Sequence, residues 1–127
     1  MGAPNSVGPG GQISFSNLPS ISANNVILRA SGLPTNQNGI FYYGPNQIQL
    51  AFGDGFRCVG GTTQRLPVTS SNIAGNANWF LDVNAPPTLG GQIVSGSTWN
   101  FQFWYRDPAA GQSGFNLTNA VQITFCD

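Results

Sequence analysis

The sequence predicts an all-β protein, an antiparallel β-sandwich of about eight or nine short strands, and three observations carry this prediction. Apolar and polar residues alternate with a period of two in several segments, which is typical of half-buried strands. Glycine, proline or asparagine bounds most of these segments, so turn signals recur about every 8 to 12 residues. Helical spacing of apolar residues is always interrupted by glycine or proline. The pattern fits a jelly roll and an immunoglobulin-like Greek key equally well.

Short alternating segments follow one another along the chain. Ile13 and Phe15 alternate with serines in the first of them. Asn38 and Gly39 both tolerate positive φ, which predicts a turn between antiparallel strands. The predicted strands are 13–16, 25–31, 40–44, 47–52, 56–59, 63–69, 79–83, 98–106 and 121–125.

The length of 127 residues fits one domain. Residues 1–11 are rich in glycine and proline, which predicts a flexible N-terminal linker, and residues 12–127 form the single predicted β-sandwich domain. Met1 is not followed by the basic and apolar segments of a signal peptide, and no apolar run is long enough to insert into a membrane. We therefore expect a soluble form, either part of a longer secreted protein or a cytosolic protein with its natural start.

The segment 98–106 alternates almost strictly, so its two faces can be assigned separately. One face carries four aromatic residues, which we predict to fill the interior of the sandwich: Trp99, Phe101, Phe103 and Tyr105. A buried aromatic side chain removes about 150 to 250 Å² from water, enough for this set to dominate a core. The opposite face carries Thr98, Asn100, Gln102, Trp104 and Arg106.

Trp104 lies among amides and a guanidinium on that opposite face, an arrangement that suits a sugar ring. The C–H face of a sugar packs on an aromatic ring, while amide and guanidinium groups hydrogen-bond its hydroxyls. The predicted ligand-binding residues are Trp104, Asn100, Gln102, Arg106 and, if its strand is a neighbour, Tyr42. The alternative is that a loop such as 107–114 covers Trp104, or that both faces of the sheet are buried.

Charged residues make up only 6% of the chain, and the net charge is zero. Lysine, glutamate and histidine are absent, so the only charged side chains are arginine and aspartate. We therefore expect neither nucleic-acid binding nor attraction to anionic lipid. Without histidine, no imidazole serves as a general base near neutral pH. A neutral protein fits a neutral partner such as a polysaccharide or a cell-surface glycan.

Aspartate is the only acidic residue type in the chain that could serve as a catalytic group or a metal ligand. Asp54, Asp82 and Asp107 have ordinary places, in a turn, on an outward strand position and before a proline. Neither a serine-nucleophile elbow nor a dinucleotide fingerprint occurs. We predict no enzyme, no cofactor and no metal site. Calcium held by Asp54 or Asp107 with nearby carbonyl groups is the one alternative.

Cys58 and Cys126 are the two cysteines of an amide-rich chain without lysine, a composition typical of extracellular proteins. We predict a disulfide between them. It would close a loop of about 70 residues and stabilise the fold by about 4 kcal/mol. The alternative is two buried thiols that act as small apolar groups.

Five strings of the sequence resemble a recurrent C-terminal β domain of large secreted proteins from planctomycetes and myxobacteria. They are FYYGPNQ (41–47), GFRCVGG (55–61), RLP (65–67), GSTWNFQFWYRDP (96–108) and GFNLT (114–118). The resemblance covers approximately residues 22–126. It implies an extracellular β domain and supports the disulfide, and it implies no catalytic or binding residue.

Trp104 with its polar neighbours on the outer face of 98–106 and the composition together predict a noncatalytic extracellular binding module for a polysaccharide or a cell-surface glycan. The alternative is a structural or assembly domain, such as a surface anchor, a sorting tail or a self-associating adhesion or filament unit. Low charge favours this alternative, because nothing repels a neighbouring copy and no lysine protects an edge strand.

Overall fold

Nine strands make up about half of the chain in the computed structural model, which describes all 127 residues. The strands are β1 (Gln12–Ser16), β2 (Ile27–Ser31), β3 (Asn38–Gly44), β4 (Asn46–Phe52), β5 (Gly55–Gly60), β6 (Gln64–Ser70), β7 (Ala77–Phe80), β8 (Thr98–Arg106) and β9 (Phe115–Thr124). Each predicted strand overlaps one of them, so the all-β prediction is confirmed. Two short 3-10 turns, Leu89–Gly91 and Pro108–Ala110, are the only helical segments. Neither has the length or the apolar character to span a bilayer.

Two antiparallel sheets face each other across the core, and a hairpin lies outside them. One sheet has the order β1-β2-β7, and the other has the order β6-β3-β8-β9. These are the positions of strands A-B-E and C′-C-F-G in an immunoglobulin-like sandwich. The strand order therefore favours the Greek key over the jelly roll. The hairpin β4-β5 is inserted between the strands that correspond to C and C′.

The core between the sheets is aromatic, as the pattern of β8 predicts. Trp99 is half-buried at its margin, and three β8 residues are fully enclosed: Phe101, Phe103 and Tyr105. The ring of Phe103 lies 4.4 Å from that of Phe41, and Phe101 stacks on Tyr43 at 5.1 Å. Such pairs contribute about 0.5 to 1.5 kcal/mol beyond the area that they bury. The three-stranded sheet closes the core with Ile13, Leu28, Ala30 and Ala77.

The turn predicted at Asn38 and Gly39 is wrong, because both residues lie inside β3. The chain before them crosses between sheets, since β2 and β3 belong to different ones. Positive φ occurs at Asn36 instead. Gly39 makes room for the core: a Cβ there would lie 2.3 Å from Cζ of Phe103. The sequence pattern does not distinguish a glycine that turns the chain from one that permits close packing.

β9 begins well before the predicted segment 121–125, because a bulge interrupts its alternation. Leu117 pairs with Trp104, whereas Ala120 pairs with Gln102. Cross-strand partners share a face, so Leu117 and Ala120 lie on the same side although they are an odd number of residues apart. The alternating pattern therefore detects only the second half of the strand.

Residues 1–11, for which the sequence predicts a linker, lie against the sandwich and bond to it. Nδ2 of Asn5 donates to the hydroxyl of Tyr105 at 3.0 Å. Ser6 donates to the carboxylate of Asp107 through both its backbone N–H and its hydroxyl, and Asp107 is fully buried. Glycine and proline content gives no sign of these bonds, because Asn5 and Ser6, two polar residues between the glycines, make them.

The predicted disulfide is wrong, because Cys58 and Cys126 are both free thiols. Cys58 lies over the centre of β8, where its N–H donates to Gln102. Gln102 pairs with Ala120 on β9, and Cys126 lies about 20 Å further along this extended chain. A disulfide requires Cα atoms within about 7 Å of each other. The number of cysteines carries no information about that distance.

Candidate functional site

The β4-β5 hairpin lies on the outer face of the four-stranded sheet and determines which residues of that face reach water. β5 packs on β8 and β9, whereas all seven residues of β4 are exposed. Val59 of β5 is fully buried against Tyr42 and Leu117 of the sheet. Both faces of β8 are therefore buried along its centre. The cover is this hairpin and not the loop 107–114.

Gln102 is fully buried beneath the hairpin, and every hydrogen-bonding group of its amide has a partner. Its Oε1 accepts from the hydroxyl of Tyr42 at 2.5 Å and from the N–H of Cys58 at 2.9 Å. Its Nε2 donates to the carbonyls of Phe56 at 2.9 Å and Thr118 at 2.6 Å. One side chain thus ties β3, β5 and β9 to β8, and it has no free group for a ligand.

Asn100 is also buried, and its Oδ1 accepts from the side-chain amides of Gln47 and Gln122, each at 3.3 Å. Arg106 is exposed at the end of β8. Neither residue lines a pocket with Trp104. Of the residues predicted to bind a ligand, the structure brings only Trp104 and Tyr42 into one site.

An open pocket of about 350 Å³ lies beside Trp104, between the hairpin and the sheet. Six strands and the residue before β6 line it: Ile40, Tyr42, Phe52, Arg57, Thr63, Arg65, Trp104, Phe115 and Leu117. Trp104 is half-buried, and its ring lies 5.6 Å from that of Phe115. Phe115 in turn contacts Phe52 of the hairpin at 5.1 Å. The volume and the apolar walls with a few polar groups are typical of small-ligand sites.

Tyr42 neighbours both arginines of this pocket. The guanidinium carbon of Arg57 is 5.9 Å from the centre of the Tyr42 ring, and Arg65 is the cross-strand partner of Tyr42 on β6. Arg57 is held in place by bonds to the carbonyl of Val59 at 3.1 Å and the hydroxyl of Thr63 at 3.3 Å. Burial raises the pKa of the Tyr42 hydroxyl, and the opposing effect of Arg57 is smaller.

Sequence reasoning missed Arg57, Arg65 and Phe115 as members of this site. The sequence did contain a signal for Arg65: it precedes the apolar Leu66 in a predicted strand, so the two side chains are expected on opposite faces. In the structure Leu66 is buried and Arg65 is exposed. The sequence does not show that β6 and β8 both neighbour β3, and this arrangement places Arg65 and Trp104 on one surface.

Asp54 and Asp107, the residues considered for calcium, have different surroundings. Both carboxylate oxygens of Asp107 accept hydrogen bonds from Ser6. Oδ1 of Asp54 accepts from the N–H of Ser113 at 3.0 Å, while its Oδ2 is buried without a hydrogen-bond partner. No group of three or more potential metal ligands from histidine, cysteine and acidic residues lies together in the chain.

The fold does not by itself indicate a function, because immunoglobulin-like sandwiches support many unrelated ones. The pocket beside Trp104 and the unpaired edge of β4 are the features of this chain that bear on its function. No protein-family model and no curated protein matches the sequence.

Proposed function

We propose that the protein is a noncatalytic extracellular module that binds a carbohydrate in the pocket between the β4-β5 hairpin and the sheet. The position of Trp104 carries the proposal: its ring is half-buried, packed on one side by Phe115, and open to the pocket. Such an aromatic wall accepts the C–H face of a sugar ring. Arg57, Thr63 and Arg65 supply hydrogen-bonding groups for its hydroxyls.

The extracellular placement is supported by composition and by resemblance. The chain is rich in amides and lacks lysine. Its strings also resemble C-terminal β domains of secreted bacterial proteins.

Replacing Trp104 with alanine tests the proposal. We expect a loss of about 2 kcal/mol of binding free energy, or about 30-fold in affinity, because a central aromatic contact is removed. Affinity electrophoresis against a panel of soluble polysaccharides measures this effect. Thermal denaturation of the variant verifies that it is folded.

Phe80→Ala is the matched control, because Phe80 is an aromatic residue 51% exposed on β7 of the other sheet. It should retain the parent affinity. An unchanged affinity of Trp104→Ala, or no retardation of the parent protein by any polysaccharide, would contradict the proposal.

The exposed strand β4 favours a second candidate function, assembly with further copies of the chain. β4 pairs only with β5, so one edge of its backbone is unpaired. The strand has no charged residue and no proline, and it exposes Ile48, Leu50 and Phe52. An edge of this kind accepts a strand from another molecule.

Leu50→Lys tests assembly. If copies pair along β4, sedimentation should show a concentration-dependent oligomer for the parent and a monomer for the variant, because charge on an edge strand opposes pairing. Leu18→Lys adds the same charge at a loop residue that is 77% exposed, and it should not change the oligomer. A parent protein that is monomeric at all concentrations rules this function out.

A further inference from the structure

The pocket carries a local positive charge that the net charge of the chain conceals. Two of the four arginines line it, and none of its lining residues is acidic. Arg29, by contrast, lies on the three-stranded sheet and donates to Ser16 and Asn78. The charges of this neutral protein are therefore unevenly placed.

We propose that the pocket recognises a sugar residue that carries an anionic group, a carboxylate or a sulfate ester. This proposal rests on the carbohydrate-binding function proposed above and specifies its ligand. A guanidinium offers planar, paired N–H donors that match the oxygens of such groups. Partly buried charges are normally paired, and the half-buried Arg57 has no acidic partner in the pocket that it lines.

The two arginines have different tasks in this arrangement. The bonds of Arg57 to Val59 and Thr63 use Nε and Nη2, so Nη1 remains for a ligand. Because these bonds fix the side chain beforehand, little conformational entropy is lost when it binds. Arg65 is exposed and faces the pocket from β6, where it meets an anionic group that enters from water. Trp104 and Phe115 receive the apolar face of the same sugar.

Two matched pairs of polymers test the anionic ligand: polygalacturonate with its methyl ester, and dextran sulfate with dextran. We expect affinity electrophoresis to show a charged member bound at least about 10-fold more tightly than its neutral partner. Preference within the first pair identifies a carboxylate, and preference within the second identifies a sulfate ester. Added salt should reduce the preference.

Substitution of the arginines locates the interaction. Arg57→Gln and Arg65→Gln should each reduce binding of the preferred polymer about 10-fold, because each removes a charged hydrogen-bond donor. Arg29→Gln, with the same charge change on the other sheet, should have no effect. Because Arg65 is exposed, its variant is expected to fold even if the Arg57 variant does not.

The outcomes separate this proposal from the function on which it rests. Equal binding of charged and neutral polymers, lost in Trp104→Ala, would overturn the anionic ligand and keep carbohydrate binding. Charged-polymer binding that survives both pocket substitutions, or that falls equally in Arg29→Gln, would also overturn it. Absence of binding to all four polymers would count against both proposals.

Discussion

Replacing Gln102 with leucine is expected to destabilise the protein by about 3 to 6 kcal/mol. Leucine has a similar size but neither a donor nor an acceptor, so four groups lose their bond to this side chain: the hydroxyl of Tyr42, the N–H of Cys58 and the carbonyls of Phe56 and Thr118. Of these, the carbonyl of Phe56 keeps only the weak thiol donor of Cys58 at 3.7 Å. Each buried unsatisfied group costs about 1 to 3 kcal/mol. Because partial release of the hairpin admits water to these groups, the loss of stability is expected to be smaller than the sum of their separate costs.

Urea denaturation measures this loss of stability. Two further variants serve as a second test of the amide and as a control. Gln102→Glu keeps the shape and one acceptor oxygen, but it replaces the NH₂ donor with a second oxygen that faces the carbonyls of Phe56 and Thr118. Because oxygen atoms without a hydrogen between them repel each other, this variant should also be less stable than the parent. Gln112→Leu changes an exposed amide in the loop before β9 and should stay within about 1 kcal/mol of the parent. A free energy of unfolding for Gln102→Leu equally close to the parent would show that this amide does not hold the hairpin.

The same substitution connects stability with binding, because the hairpin supplies one wall of the pocket. Phe52 and Arg57 come from β4 and β5, whereas Trp104 and Arg65 come from the sheet. Gln102 lies between these two parts and fixes their separation. A residue predicted to touch a sugar thus acts instead on the shape of the site that would receive it.

Alternation along β8 predicts the side to which each residue points, and the structure agrees for Phe101 and Phe103 on the inside. It does not predict what covers the other side. Asn100 and Gln102 lie on the outer face as expected, yet they are buried, because a hairpin some 50 residues earlier in the chain folds over them. Period-two patterns report direction, whereas exposure depends on contacts between distant segments.

Composition has a related limit as a predictor, because it averages charge over the chain. A net charge of zero predicts a neutral ligand, whereas strand order places Arg57 and Arg65 next to Tyr42 with no acidic residue in the pocket. Strand order is a long-range property that no local pattern in the sequence encodes. The residues of the pocket could therefore be recognised only in part, through Trp104 and Tyr42.

Deletion of residues 2–8 is expected to lower the free energy of unfolding by about 3 to 5 kcal/mol, whereas removal of a flexible linker would leave it unchanged. The deletion removes two hydrogen bonds from Ser6 to the buried carboxylate of Asp107 and one from Asn5 to Tyr105. Hydrogen bonds to charged groups contribute about 1.5 to 3 kcal/mol each, and water that reaches Asp107 offsets part of their loss.

Single substitutions divide this effect between the hydroxyl of Ser6 and the rest of the segment. Ser6→Ala removes only the hydroxyl donor and should cost about 1.5 to 3 kcal/mol in urea denaturation, because the backbone N–H still reaches Asp107. Val7→Ala, at a side chain 57% exposed, should change stability by less than about 0.5 kcal/mol. If the deletion variant unfolds at the same urea concentration as the parent, residues 2–8 contribute nothing to the fold and are the linker that their glycine and proline content predicts.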